Sequence, residues 1–378
     1  MRTVRWPIRS ICVLALTAAL WCDTAMGKIG TIDAVPAATL LLPYFEVDLS
    51  SSTGPTTVFT VINGGAAPVI AHICLWTDRG VPTYNFDVTL TGYDVQPVNL
   101  RDLFEKNAAG IDFSGVPDRV IYSHTGQPVD PNAQPAECAG RDFGDNHARG
   151  YVTIDTTNTN TTLFPGDPGY FVSGGNGIAI NLNVLWGEYS YIDLDNNFAQ
   201  GEQMVHIEAS SSDALVTTNG NYTFYGGLVG GDASDNREPL NTAWSVPYKT
   251  GGMDSEGTDI IYWRDPKEPV TASEGLCFPS TGLFPLANAE TVVFDDAENA
   301  QVIQNSFVFP AVCGRLRVGD PDLQPAFDSG WIYFETDYPS SGTLFGTRGQ
   351  SWVTVVSSAL GRFSSGFHAT AMKNATQP

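Results

Sequence analysis

Apolar and polar residues alternate with a period of two through most of this chain, and that leaves few folds open. In YNFDVTL, Tyr84, Phe86, Val88 and Leu90 fall on one face and Asn85, Asp87 and Thr89 on the other, as in a half-buried antiparallel strand. GIAINLNVLW repeats the pattern, with Ile178, Ile180, Leu182, Val184 and Trp186 inward and Asn181 and Asn183 outward. TVFTVIN and PVIAHICLWTD flank Gly64, Gly65 and Pro68, which reads as two strands joined by a turn. Further strands are expected at 149–156, 203–209, 221–226, 258–264, 290–295, 330–336 and 350–358. Helical periodicity is nearly absent, and NLRDLFEKNA (99–108) is the one short helix expected. The expectation is an all-β chain: an antiparallel β-sandwich, one large or two packed, with long loops. A closed outer-membrane barrel is the rival, but its strands would be more even, and the C-terminal MKNATQP lacks a terminal aromatic residue.

Thirty-eight Gly and 24 Pro punctuate the strands. The longest loop, 110–148, contains Pro117, Pro128, Pro131, Pro135 and Cys138. A loop of that length in a compact body is normally functional or pinned. No fixed-period repeat is visible. The strand pattern is weakest in the Gly/Asp/Asn-rich stretch near 228–237, which suggests a sandwich over 28–230 and a β region over 231–378. One continuous body fits the pattern equally well.

The N-terminus reads as an export signal spanning residues 1–27. Arg2, Arg5 and Arg9 precede the uncharged run ICVLALTAALWC, and the small residues of TAMG follow; this order defines a secretory signal. The run is shorter than the roughly 20 residues a spanning helix needs. Cys22 would suit a lipid anchor, but bulky Trp21 stands before it. Removing residues 1–27 takes away three Arg and one Asp, leaving a net charge of −24. Such a chain repels nucleic acid and anionic membrane surfaces, and no later segment is apolar and long enough to span a bilayer as a helix. The expected location is the periplasm, the cell surface or the medium, with an extracellular protein or glycan as partner. Four cysteines remain, and in an exported chain an even number argues for disulfides. Cys74–Cys138 and Cys277–Cys313 are the simplest pairs, with Cys74 as a buried free thiol the alternative.

One stretch carries a resemblance. TTVFTVINGGAAPVIAHICLWTDRGVPTYNFDVTLTGYDVQPVNLRDLF, within 55–104, looks like an immunoglobulin-like sandwich module of exported bacterial proteins. NNFAQGE and REPL…TDIIYWRD resemble pieces of uncharacterised secreted bacterial proteins. The resemblance covers about a third of the chain, implies a secreted or surface β-sandwich, and carries no activity with it.

Motifs of chemistry are sparse. Asp193, Asp195 and Asn197 stand at alternate positions in DLDNN, as at the start of a calcium loop, but the EF-hand Gly and closing Glu fall on Phe198 and Met204. A looser calcium site would use Asp193, Asp195, Asn197 and Glu202, whereas the ordinary reading is a polar turn whose Asp and Asn bond their own backbone. The five histidines lack paired metal spacing, and His147, near Asp142 and Asp145, is expected in a solvated loop. No GxSxG, HExxH, CxxC or phosphate-loop pattern occurs. Glycoside hydrolysis needs two carboxyl groups, one kept protonated; Glu188 and Asp259 are the candidates. Trp186, Tyr189, Tyr191, Trp244 and Trp263 could stack on sugar rings, although strand aromatics are usually core. Arg237 and Arg264 are expected to tie loops to carboxylates, with ligand capture as a second role. FDDAEN (294–299) is a solvated turn. These residues favour a non-catalytic structural or binding protein, with a carbohydrate-active protein as the alternative.

Overall fold

The computed structural model describes residues 35–105, 147–172, 177–218, 222–229, 233–251, 257–266, 286–303, 308–321, 323–337, 349–359 and 363–374. The expected export signal, most of the loop 110–148, Asp142, Asp145, Cys138 and Cys277 lie outside them. The chain is all-β, with antiparallel sheets packed on one another as a β-sandwich. Strands β1 (Thr39–Asp48), β3 (Val69–Thr77), β4 (Pro82–Leu90), β6 (His147–Thr157) and β9 (Val205–Ile207) form a five-stranded sheet in the order β4-β3-β6-β1-β9. A four-stranded sheet, β5-β2-β7-β8, combines β2 (Thr56–Asn63), β5 (Val95–Asn99), β7 (Leu185–Asp193) and β8 (Phe198–Gln203). The two face each other through β1 against β2 and β7.

The C-terminal part builds one larger sheet. Its path is β14 (Ala300–Val302), β13 (Glu290–Phe294), β17 (Ser329–Glu335), β10 (Asn241–Lys249), β18 (Ser351–Ala359), β11 (Gly257–Arg264) and β16 (Cys313–Arg317). β19 (Phe363–His368) pairs with β18, and β20 (Thr370–Asn374) with β10. β12 (Leu286–Ala287) and β15 (Val308–Phe309) form a separate short ribbon. Helix α1 (Leu100–Phe104) is capped by Asn99, whose side chain accepts from the Arg101 N–H. A second short helix, α2 (Ala214–Thr217), is capped by Asp213 in the same way.

Period-two reasoning held where one face meets solvent. In β4, Tyr84, Phe86, Val88 and Leu90 are buried and the residues between them are not. It failed in GIAINLNVLW, where a strand begins only at Leu185. Before it, Asn183 bonds the Ala209 backbone through both amide atoms and Asn181 accepts from Arg237. Side-chain bonds to distant segments and isolated backbone bonds, such as the Ile180 N–H to the Thr156 carbonyl at 2.9 Å, replace a continuous ladder there. Leu182 is left exposed, and in β7 the buried set is Leu185, Gly187, Tyr189 and Tyr191, one residue out of phase with the expectation. Where a strand was expected at 221–226, the described residues from 222 on form turns instead, with the Gly226 N–H bonded to the Thr223 carbonyl and the Leu228 and Val229 N–H groups to the Tyr225 carbonyl.

β1 was not foreseen as a strand. Its sequence TLLLPYFEVD is almost wholly buried, because it is a central strand covered on both faces and so does not alternate. Pro43 sits where its pairing with β6 shifts register between Leu42 and Phe45, the position at which a missing N–H does least harm.

The sheet ladders divide between β9 and β10, yet one continuous apolar core runs through both halves. Across this seam Trp263 meets Tyr151 and Phe224, with ring centroids 6.0 and 5.4 Å apart. The Val312 and Cys313 N–H groups donate to the Asp78 carbonyl at 2.7 and 3.2 Å. Gly150 lets β6 run here, since a Cβ on it would lie 1.9 Å from the Trp76 carbonyl oxygen. Among the described residues no helix is long and apolar enough to cross a membrane, a statement about helices alone.

Candidate functional site: a charged cleft at the seam

β16 is an edge strand of the large sheet, and its sequence CGRLR buries Cys313 and Leu316 while turning Arg315 and Arg317 outward. Its partner β11 sets Asp259 opposite Arg317 and Ile261 opposite Arg315. The two guanidinium groups therefore converge on one carboxylate. Arg315 donates to Asp259 Oδ2 through Nε at 2.8 Å and also through Nη2. Arg317 donates to Oδ1 through Nε at 2.8 Å and to Oδ2 through Nη2 at 3.3 Å. Burial pulls the Asp259 pKa upward, but the Arg317 hydrogen bond and the Arg315 charge outweigh it and hold the group below the usual carboxylate range.

The facing wall comes from the five-stranded sheet. Glu46 of β1 pairs across the ladder with Arg149 of β6. Its Oε1 accepts from Arg149 Nη2 at 3.0 Å and lies 3.0 Å from His147 Nδ1, while the Tyr44 hydroxyl donates to Oε2 at 3.2 Å. Burial again opposes ionisation. The His147 hydrogen bond and the charges of Arg149, His147 and Arg315 overcome it and lower Glu46 to about 2. Since Arg315 stands on the opposite wall, the two walls share one electrostatic field. Between them is a cleft of about 330 Å³. With the guanidiniums of Arg149, Arg315 and Arg317 and the carboxylates of Glu46, Asp78, Asp259 and Asp320 on its walls, it can donate and accept hydrogen bonds over a short distance.

Of the sequence candidates for catalysis, metal or ligand binding, Asp259 lines this cleft, as does Cys313, and His147 borders it through Glu46. Glu188 is exposed on the outer face of the four-stranded sheet, opposite Gln203. Tyr189, Tyr191, Trp244 and Trp263 are buried, and Trp186 is half-buried against the His206 ring. The DLDNN segment is the tip of the β7–β8 hairpin. Asp193 accepts there from the Asn196 backbone and side chain at 3.2 and 2.7 Å, Asn197 takes φ 49°, and Glu202 lies up the strand bonded to Gln200. Among the described residues no group of three or more His, Cys, Asp or Glu is placed to hold a metal. His147 begins β6, beside Glu46 and 3.9 Å from Asp48, so it is not a solvated loop residue. FDDAEN is an exposed turn closed by Asp295. Cys74 and Cys313 are buried free thiols, and the partners expected for them lie outside the described residues.

Arg237 and Arg264 are fully buried. Arg237 donates to Thr39 Oγ1, Asn181 Oδ1 and Ile180 O, each at 3.0 Å, and to Asp235 O at 2.6 Å, with Asp155 Oδ1 3.8 Å away. Asp155 in turn accepts from Thr39, Tyr170 and Tyr225. Arg264 donates to Leu286 O, Asn288 Oδ1 and Thr336 O and lies over the Phe309 ring. Both arginines spend most of these donors on neutral oxygens, where loop–carboxylate ties were expected, because a buried guanidinium needs many acceptors and carbonyls are nearest.

Glu46, Arg149, Arg315 and Arg317 were not foreseen. Their signal was outward alternation in FEVD, HARG and CGRLR, but the partners are 103 and 56 residues apart in sequence. Comparison with protein-family models, with curated proteins and with solved structures finds no match in any of the three.

Proposed function

We propose that this chain is an exported, non-catalytic binding or structural β-sandwich protein of the bacterial periplasm or cell surface, and that it binds through the cleft at its seam. One observation carries the reading. The two carboxylates that pair with the guanidiniums are shifted toward their charged form, Glu46 to about 2 and Asp259 below its ordinary value. The cleft thus presents two carboxylates that their neighbours favour in the charged form. The signal-like N-terminus and the strongly acidic composition supply the export side of the argument. The likeness of residues 55–104 to secreted bacterial sandwiches belongs to the same reading.

Closely spaced donors and acceptors suit a hydroxyl-rich ligand, so glycan binding is the second reading. Hydrolysis gains no such support, since it needs one carboxyl group kept protonated, and Asp259 is shifted the other way. The test is calorimetric titration of the full chain with neutral hexoses, uronates and small dicarboxylates, alongside an Arg315→Gln/Arg317→Gln variant. The reading expects at least one of these to bind and to weaken about tenfold or more in the variant, a difference of about 1.4 kcal/mol. Binding that ignores the variant, or release of reducing sugar from a glycan, would count against it.

A further inference from the structure

A second hollow lies along the seam, and its walls are opposite in kind to those of the cleft. Trp76 of β3 and Tyr151 of β6 stack with centroids 5.6 Å apart and planes 3° from parallel. Trp263 of β11 stands edge-on to Tyr151 at 71°, and Phe224 leans on Trp263 at 31°. Tyr225 and Asp265 complete the part of the lining that matters, which holds no Lys or Arg. The hollow gives the centre of a water molecule about 30 Å³. A rounded void of that measure takes a sphere of roughly 3 Å radius, the size of a trimethylammonium head.

The carboxylate is positioned from behind. Asp265 Oδ2 accepts from the Tyr222 hydroxyl at 3.1 Å and from Gln350 Nε2 at 2.9 Å. Gln350 Nε2 also donates to the Phe224 carbonyl at 2.9 Å, so one amide fixes both the charged and an aromatic wall. Aromatic faces attract cations, and a carboxylate adds direct charge. A primary ammonium would bring three N–H donors to walls with few acceptors, and the Thr153 hydroxyl already receives the Trp76 indole N–H at 2.9 Å. A methylated ammonium brings none.

We propose that this pocket is a second ligand site, taking the quaternary ammonium head of a small solute of the choline type. It does not depend on the cleft reading. Tryptophan emission of the full chain is followed while choline chloride is added at constant ionic strength, and again with the neutral analogue carrying carbon in place of nitrogen. Choline should give a saturable change, with the analogue about tenfold weaker or worse. Asp265→Asn should weaken choline and leave the analogue unchanged. Phe224→Leu, which leaves the carboxylate in place, should weaken choline too. Arg315→Gln/Arg317→Gln should alter neither, which keeps this test separate from that of the cleft. An analogue that binds as tightly as choline, or no saturation by about 100 mM choline, would overturn the proposal.

Discussion

Arg237 and Arg317 both stand beside an aspartate, yet they stand in different solvents. Arg237 is buried completely and surrounded by carbonyl, amide and hydroxyl oxygens, with the Asp155 carboxylate 3.8 Å away. The Arg317 side chain is 44% exposed and bonds Asp259 directly at 2.8 Å. Distance alone would rank the open pair as the stronger. Burial reverses the order, because water screens the exposed pair, whereas removing one member of a buried network strands the rest. The closed grouping is part of the packed interior, and the open one lines the cleft. The largest expected effect follows. Arg237→Met should cost about 3–5 kcal/mol in denaturant unfolding, since Thr39, Asn181 and the Ile180 and Asp235 carbonyls would each lose a donor and Asp155 its neighbouring charge. A loss below about 1 kcal/mol would erase the contrast.

Titration sharpens the same comparison, because the two regions should respond to acid with opposite signs. Asp235, in the closed grouping, accepts from the Tyr225 N–H at 2.5 Å and the Arg237 N–H at 3.2 Å. Burial nevertheless raises it from an ordinary 3.8 to about 6. A carboxyl group whose folded pKa is raised binds its proton more tightly when folded. Its contribution is therefore largest at low pH and declines as pH rises from about 4 to about 6, by about 3 kcal/mol. Asp235→Asn should flatten that slope in unfolding measured across the window. A slope unchanged by the substitution would show that Asp235 is not its source.

Glu46, in the open grouping, is displaced the other way, from 4.5 to about 2. Its stabilisation is fully present above about pH 4.5 and lost as pH falls toward about 2, an effect of about 2 kcal/mol given its partial exposure. Glu46→Gln should remove that acid-side loss and leave the Asp235 window untouched. Taken together, the two groups place a maximum in their joint contribution near pH 4. If the Glu46→Gln protein lost stability below pH 4 as steeply as its parent, the cleft would not be electrostatically built as described.

The two regions were also unequally legible. Half-buried strands such as β4 announce themselves by alternation, since one face sees water and the other the core. Central β1 does not alternate, and its Pro43 argues against a strand until the register shift that accommodates it is known. Arg237 was visible in DNREPL, but its partners Thr39 and Asn181 lie 198 and 56 residues away, so nothing local foretold a buried network. Asp259 was singled out for an acid–base role that suits a lone carboxyl group. The two arginines that change its chemistry enter from β16, a five-residue edge strand whose short alternation gave little signal. Sequence distance hid the cleft, because cross-strand charge pairs become a pattern only when the register is known.

The smallest expected effect tests the open half of the comparison at its edge. Arg317→Gln removes one of two guanidiniums from Asp259 and leaves Arg315 bonded to it at 2.8 Å. The remaining fork keeps the carboxylate paired, and the substituted side chain was already 44% exposed. Stability should therefore fall by less than about 1 kcal/mol, and the fall should shrink further in high salt as screening weakens the pair in the parent. Ligand uptake by the cleft should drop far more than stability does. That separation between a small structural and a large binding effect is what a recognition surface produces and a structural ion pair does not. Were Arg317→Gln as damaging as Arg237→Met in the same unfolding experiment, Asp259 and its arginines would be a second structural clasp of the seam, and the cleft would lose its claim to be the binding site.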